Sequence, residues 1–329
     1  MANISLSLAV GEYDHVRDLA SGDVRASGLE IHAVHGPIED ILVRGHRYKE
    51  WDVAETGLGA YVAAIDRGDD SIIAIPVFTS RIFRHSAIYV RADSGISSPA
   101  QLVGRKVGVP EWGMAAAVYA RGALVHQYGM DLRTLHWVQG GLHDPGREDR
   151  SPPDPELGLD YRQETASSLN DLLAAGELDA LISARVPRVM QGGSGRVRHL
   201  FGDPRTEELN YWSRTGVFPI MHLIGIRRDV YERNRWVAMQ LLKGFEEAKR
   251  RSLERAADLT ASYFPVPLMA YAVEQARSVA GQDYWPYGVE ANRPTLEAFL
   301  QYAFEQGVTR RRIEVEELFA RECLTYTKT

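Results

Sequence analysis

The sequence predicts an α/β protein, and three patterns carry that expectation. Short runs with the two-residue period of strands alternate with longer runs at the three-to-four spacing of helices, which implies parallel sheets layered with helices. The last hundred residues, after Ile226, are mostly helical. At 329 residues the chain is long enough for two domains of about 150 residues each, or one large domain, with a core that needs no disulfide or metal.

Taken in order, Ile4–Val10 alternates apolar and polar residues and stops at Gly11, a strand followed by a turn. Further strands are expected at Leu29–Val34, Val53–Thr56, Ile72–Phe78, Ser86–Arg91, Lys106–Val109, Leu135–Val138, Ala180–Ser183 and Pro219–Ile226. Helices are expected over Ile38–Lys49, Leu58–Asp66, Met114–Tyr128, Ser167–Ala175 and Val230–Ala257. Pro265, Pro267, Pro286 and Pro294 divide the C-terminal region into short helices. Gly140–Pro155 is polar and rich in Gly and Pro, so it reads as a long loop of the kind that often carries function.

Composition narrows the function. Apolar residues make up 45% and charged residues 25%, an ordinary soluble globule rather than a disordered or disulfide-built chain. With 38 Lys+Arg against 44 Asp+Glu, a net charge of -6 and no long basic run, a nucleic-acid partner is not expected. The one cysteine, Cys323, has no intrachain partner. The opening stretch Met1–Val10 lacks the features of a secretory signal, and no apolar run approaches the ~20 residues of a membrane span, so a cytoplasmic protein without a membrane partner is expected. His32 and His35 fall on opposite faces of a strand and no His-Glu-x-x-His or Cys-x-x-Cys occurs, so no metal site is expected. Nucleophile-elbow, Walker and dinucleotide motifs are also missing, which calls for no organic cofactor.

Leu102-Val103-Gly104-Arg105-Lys106-Val107-Gly108-Val109-Pro110 and Leu172–Leu181 resemble recurring segments of type 2 periplasmic-binding-protein-like folds. The resemblance implies two α/β lobes with a cleft between them, the chain crossing near Val90–Ser97 and again near Tyr211–Phe218. The lobes would be 1–94, 95–214 and a return over 215–329. More narrowly, Gly11-Glu12-Tyr13-Asp14, Ile75–Ser86 with its Arg81-Ile82-Phe83-Arg84-His85-Ser86 core, Ala92–Ile96, Gly108–Trp112, Gly140-Gly141-Leu142 with Pro145-Gly146-Arg147, and Phe218–His222 resemble the 4,5-dihydroxyphthalate decarboxylase family. That family implies a carboxy-lyase of aromatic catabolism, taking a small anionic aromatic dicarboxylate to a protocatechuate-like product. The other reading of such a fold is a solute-binding protein for an anionic aromatic ligand, without chemistry. Self-association stays open in either case.

Chemistry assigns candidate roles within that frame. Arg81 and Arg84 can fork onto carboxylates, and His85 and His222 can carry a proton to carbon. Arg81 or Arg84 would hold the spectator carboxylate, because an arginine gripping the departing one would stabilise the ground state more than the transition state. The turn at Glu111 and Trp112 opens a helix, where Trp112 either stacks on the ligand ring or fills the core. Glu12 and Tyr13 follow the first strand, where such sheets place ligands; a helix start capped by Asp14 is the alternative, and it needs no function. Arg147 and Arg185 add positive charge from the second lobe, or else close ion pairs between lobes.

Overall fold

The computed structural model describes residues 3–191, 193 and 195–326. Its strands are β1 (Ile4–Ala9), β2 (Leu29–Val34), β3 (Val53–Gly57), β4 (Ile72–Arg81), β5 (Ile88–Arg91), β6 (Lys106–Val109), β7 (His136–Gln139), β8 (Asp160–Gln163), β9 (Ala180–Ile182), β10 (Val197–His199) and β11 (Ile220–Arg227). They form two sheets, in the orders β2-β1-β3-β11-β4 and β10-β5-β9-β6-β7-β8. In the first, β1 runs parallel to β2 and β3, while β11 returns antiparallel between β3 and β4. In the second, β6, β7, β8 and β9 are parallel and β5 is antiparallel to both of its neighbours.

The helices are α1 (Asp14–Ala20), α2 (Ile38–Tyr48), α3 (Leu58–Asp66), α4 (Ala115–His126), α5 (Leu169–Ala175), α6 (Arg188–Gln191), α7 (Pro204–Thr215), α8 (Arg228–Arg233), α9 (Trp236–Ala257), α10 (Met269–Ala280) and α11 (Arg293–Glu305). Pro294 sits in the first turn of α11, where its missing N–H costs nothing, so it starts a helix rather than breaking one.

The first crossover lies between Arg81 and Ile88, ahead of the expected Val90–Ser97. The Ile88–Arg91 run is a strand as its apolar residues suggest, but its hydrogen bonds go to β9 and β10, so it opens the second lobe instead of ending the first. The return crossover runs through α7, between β10 and β11.

The C-terminal region clasps both lobes. On the first, the Tyr61 hydroxyl donates to the Leu318 carbonyl at 2.6 Å and the Ala320 N–H donates to the Ala74 carbonyl at 2.8 Å. On the second, the Trp112 indole N–H donates to the Gln306 carbonyl and the Arg121 guanidinium to the Gln306 side chain, both at 2.8 Å. Gly122 on α4 is required by this packing, since a Cβ there would lie 2.3 Å from the Tyr302 ring on α11.

Candidate active site between the lobes

The strand ends that face the second lobe carry α1, α2 and α3, and none of these helices has a side-chain cap. Opposite them α4 also starts uncapped. Uncapped helix starts leave N–H groups and positive dipole ends for an anion. The start of α3 abuts the start of α4: a Cβ on Gly59 would lie 2.0 Å from the Gly113 carbonyl oxygen, so only glycine lets the lobes approach this closely.

At the edge of this contact is a hydrogen-bonded group centred on Glu55, which is 0% exposed. Its carboxylate accepts from His222 Nδ1 at 2.7 Å, from the Tyr13 hydroxyl at 2.8 Å and from the Gly11 N–H at 2.9 Å. Burial alone would raise the carboxyl pKa, but the bonds from His222, Gly11 and Tyr13 outweigh it and hold Glu55 below the usual glutamate range. Because a carboxylate accepts, His222 Nδ1 carries its proton there and Nε2 is left without a protein partner among the described residues. The His222 side chain is 19% exposed, and β11 places it opposite Gly57, the residue that precedes α3. Gly11 is needed beside it, since a Cβ would meet the Tyr13 ring at 2.7 Å. Burial and the neighbouring Glu55 both push the Tyr13 hydroxyl far up, so it remains a donor.

Two cavities flank the turn that leads into α2. One, of about 500 Å³, is lined by Gly11, Glu12, Tyr13, Asp14, His35 and Phe264 among others. The other, of about 340 Å³, lies between Glu39 of the first lobe and Pro110, Met114, Gly141–Arg147, Ser183–Arg185 and Arg188 of the second. It gathers Arg147, Arg185, Arg188 and His143. Arg185 bridges to Glu39 across the cleft at 2.8 Å, and Arg147 joins Arg150 on the buried Glu111 at 2.9 and 2.8 Å. Arg188 has no carboxylate partner among the described residues. Burial first, then Arg188 and Arg185, lower the His143 pKa, against the opposing pull of Asp144 and Asp171. No group of three or more His, Cys, Asp or Glu among the described residues is placed to hold a metal ion.

The structure therefore divides the candidates read from the sequence. Glu12 and Tyr13 line one cavity of the first lobe, Tyr13 and His222 meet on the Glu55 carboxylate, and Arg147 and Arg185 line the other cavity, where Glu111 anchors Arg147 rather than facing a ligand itself. Asp14 does not cap its helix: Tyr13 holds that position, and the Asp14 carboxylate pairs with Arg255 at 2.9 Å. Four candidates are core residues instead. Arg81 donates to the carbonyls of Phe218 and Pro286 and to the Asn292 side chain, beneath the Phe78 and Phe218 rings. Arg84 donates from Nε to Met221 sulfur at 3.1 Å, and burial lowers both guanidinium pKa values to about 10. His85 is 2% exposed, bonded to Gln127 and wedged against Phe201 and Tyr211, where burial lowers its pKa. Trp112 is 0% exposed, with the Arg121 guanidinium 3.6 Å from its ring, so it cannot stack on a ligand. Glu55 went unselected by sequence reasoning; its one signal is a lone carboxylate inside an apolar strand.

Two lobes meeting over a cleft of uncapped helix starts define a protein of the periplasmic-binding-protein-like class. Solved structures agree on the fold: the aliphatic sulphonate binding protein SsuA from Escherichia coli has a TM-score of 0.56 at 13% identity, covering 99% of this chain and 100% of its own. The desulfurization enzyme DSZB has a TM-score of 0.52 at 14% identity, covering 98% of each chain. A family model described as the phosphonate ABC transporter periplasmic substrate-binding protein matches residues 24–145. A 4,5-dihydroxyphthalate decarboxylase of Comamonas testosteroni is 37% identical over 321 residues, 97% of each chain. A second, from Pseudomonas putida, is 37% identical over 209 residues, 62% of this chain and 80% of its own. The chain belongs to the 4,5-dihydroxyphthalate decarboxylase family.

Proposed function

We propose that the protein is a carboxy-lyase that converts 4,5-dihydroxyphthalate to protocatechuate, using His222 as the proton donor to carbon. The family membership supports the reaction, and the observation that carries the chemistry is a histidine held by the buried Glu55 carboxylate with its second nitrogen turned free.

Each carboxylate of this substrate is para to a hydroxyl, so electron density from the phenol reaches the carboxylated carbon. Protonation of that carbon by His222 Nε2–H interrupts the ring's aromaticity. The bond to the carboxylate then breaks, its electron pair restores the ring, and carbon dioxide leaves. One proton is consumed per turnover, and the ring itself is the electron sink, so no organic cofactor is called for. Glu55 stabilises the imidazolium that donates and fixes its orientation. The spectator carboxylate falls to Arg147, Arg185 and Arg188 instead of the core residues Arg81 and Arg84. Holding that group tightly is productive because its charge does not change during the reaction.

The test is incubation with 4,5-dihydroxyphthalate, with and without a chelator, following substrate and protocatechuate by chromatography. Product formation lost in His222→Asn supports the assignment, whereas full turnover by that variant overturns the role of His222. The match to a transporter substrate-binding family favours a second reading, an anion receptor without chemistry; tight binding with no product would establish it.

A further inference from the structure

His15 lies beside the Glu55 group and has no part in the proton transfer from His222. Its Nε2 is 3.0 Å from the Thr79 carbonyl, which can only accept, so that nitrogen carries the proton. A neutral imidazole protonated at Nε2 presents an unprotonated Nδ1, and Nδ1 has no protein partner among the described residues. The ring is fixed on both sides, stacked on Tyr13 at 5.2 Å and tilted against Trp285 at 5.3 Å. Tyr13 in turn holds Glu55. Tyr13 thus stacks on His15 and shares the Glu55 carboxylate with His222; as an imidazolium His222 donates from Nε2, whereas neutral His15 offers only an acceptor at Nδ1.

We infer that His15 Nδ1 accepts a hydrogen bond from a ring hydroxyl of the substrate, and so selects hydroxylated aromatic dicarboxylates over unsubstituted ones. This rests on the decarboxylase reading for the substrate class. A neutral imidazole is a suitable acceptor for a phenol, and burial lowers the His15 pKa to about 4, so its lone pair stays available at neutral pH. A ligand without the hydroxyl leaves that lone pair unmatched, which is how such a site discriminates.

Calorimetric titration with two ligands, 4,5-dihydroxyphthalate and phthalate, tests it in the wild type, His15→Phe and His15→Asn. The wild type should bind the hydroxylated ligand about tenfold or more tighter. His15→Phe keeps an aromatic ring but no acceptor, and should erase that preference while leaving phthalate affinity in place. His15→Asn, whose amide reaches the position of Nδ1, should restore part of it. Equal weakening of both ligands in His15→Phe would make the residue merely structural and overturn the inference, as would a wild type that does not discriminate. Discrimination by a wild type that makes no product would sink the decarboxylase reading while leaving the role of His15 standing.

Discussion

At Glu55, one carboxylate accepts from a tyrosine and a backbone N–H of the turn between β1 and α1 and from a histidine on β11. Glu55→Gln keeps the shape and removes the charge that supports an imidazolium, so kcat should fall by about 10²-fold or more with little change in circular dichroism. Unchanged kcat would remove Glu55 from the mechanism. His15 gives a second expectation, about stability. Its folded pKa of about 4 lies below the usual 6.5, so between those values the unfolded chain binds more protons. The stabilisation is complete above pH 6.5 and is lost as the pH falls toward 4, on the order of 3 kcal/mol. Denaturant melts across that range should show a shallower slope for His15→Phe than for the wild type. At this scale the sequence was only partly legible. Arg81, Arg84 and His85 stand in the segment that marks the family, yet the groups that bury them, Phe218, Met221, Gln127 and Asn292, lie far along the chain.

Elements were more readable than side chains, because period and turn chemistry are local. β1, β2, β3, β6 and β11 lie within a residue or so of their expected places. The misses have physical reasons. β8 reads Asp-Tyr-Arg-Gln at a sheet edge and β10 has three residues, so neither carries an apolar run. β5 is legible as a strand, but its sheet is decided by partners about ninety residues away. The contact between the starts of α3 and α4 gives the prediction at this scale. Gly59→Val should drive a side chain into the Gly113 carbonyl, lowering Tm by on the order of 5 °C and raising KM, as scanning calorimetry and steady-state rates would show. An unaltered KM would mean that the meeting of the two helix starts does not shape the substrate site.

As a whole molecule, the two lobes are joined by more than their crossovers. The C-terminal region bonds to Tyr61 and Ala74 on one side and to Trp112 and Arg121 on the other, all buried. Gln306→Ala leaves the buried Arg121 guanidinium short of an acceptor, and should cost about 3 kcal/mol of stability by chemical denaturation. The same clasp limits rigid-body closure, so phthalate should leave the radius of gyration in small-angle scattering unchanged; a clear decrease would show that the lobes hinge despite it.

The placement of β11 has a bearing on how the protein comes into being. Among the described residues β4 joins the first sheet only through β11, which leaves the ribosome about 140 residues later. A nascent chain that has just emerged through Arg81 therefore holds a strand with no docking edge, and must carry it while the entire second lobe is made. His222 arrives on that same late strand, so the proton donor meets Glu55 in the step that zips the first lobe shut. A fragment ending at residue 214 should accordingly remain protease-sensitive around β4, and no partly made chain can act on substrate before the insertion is complete.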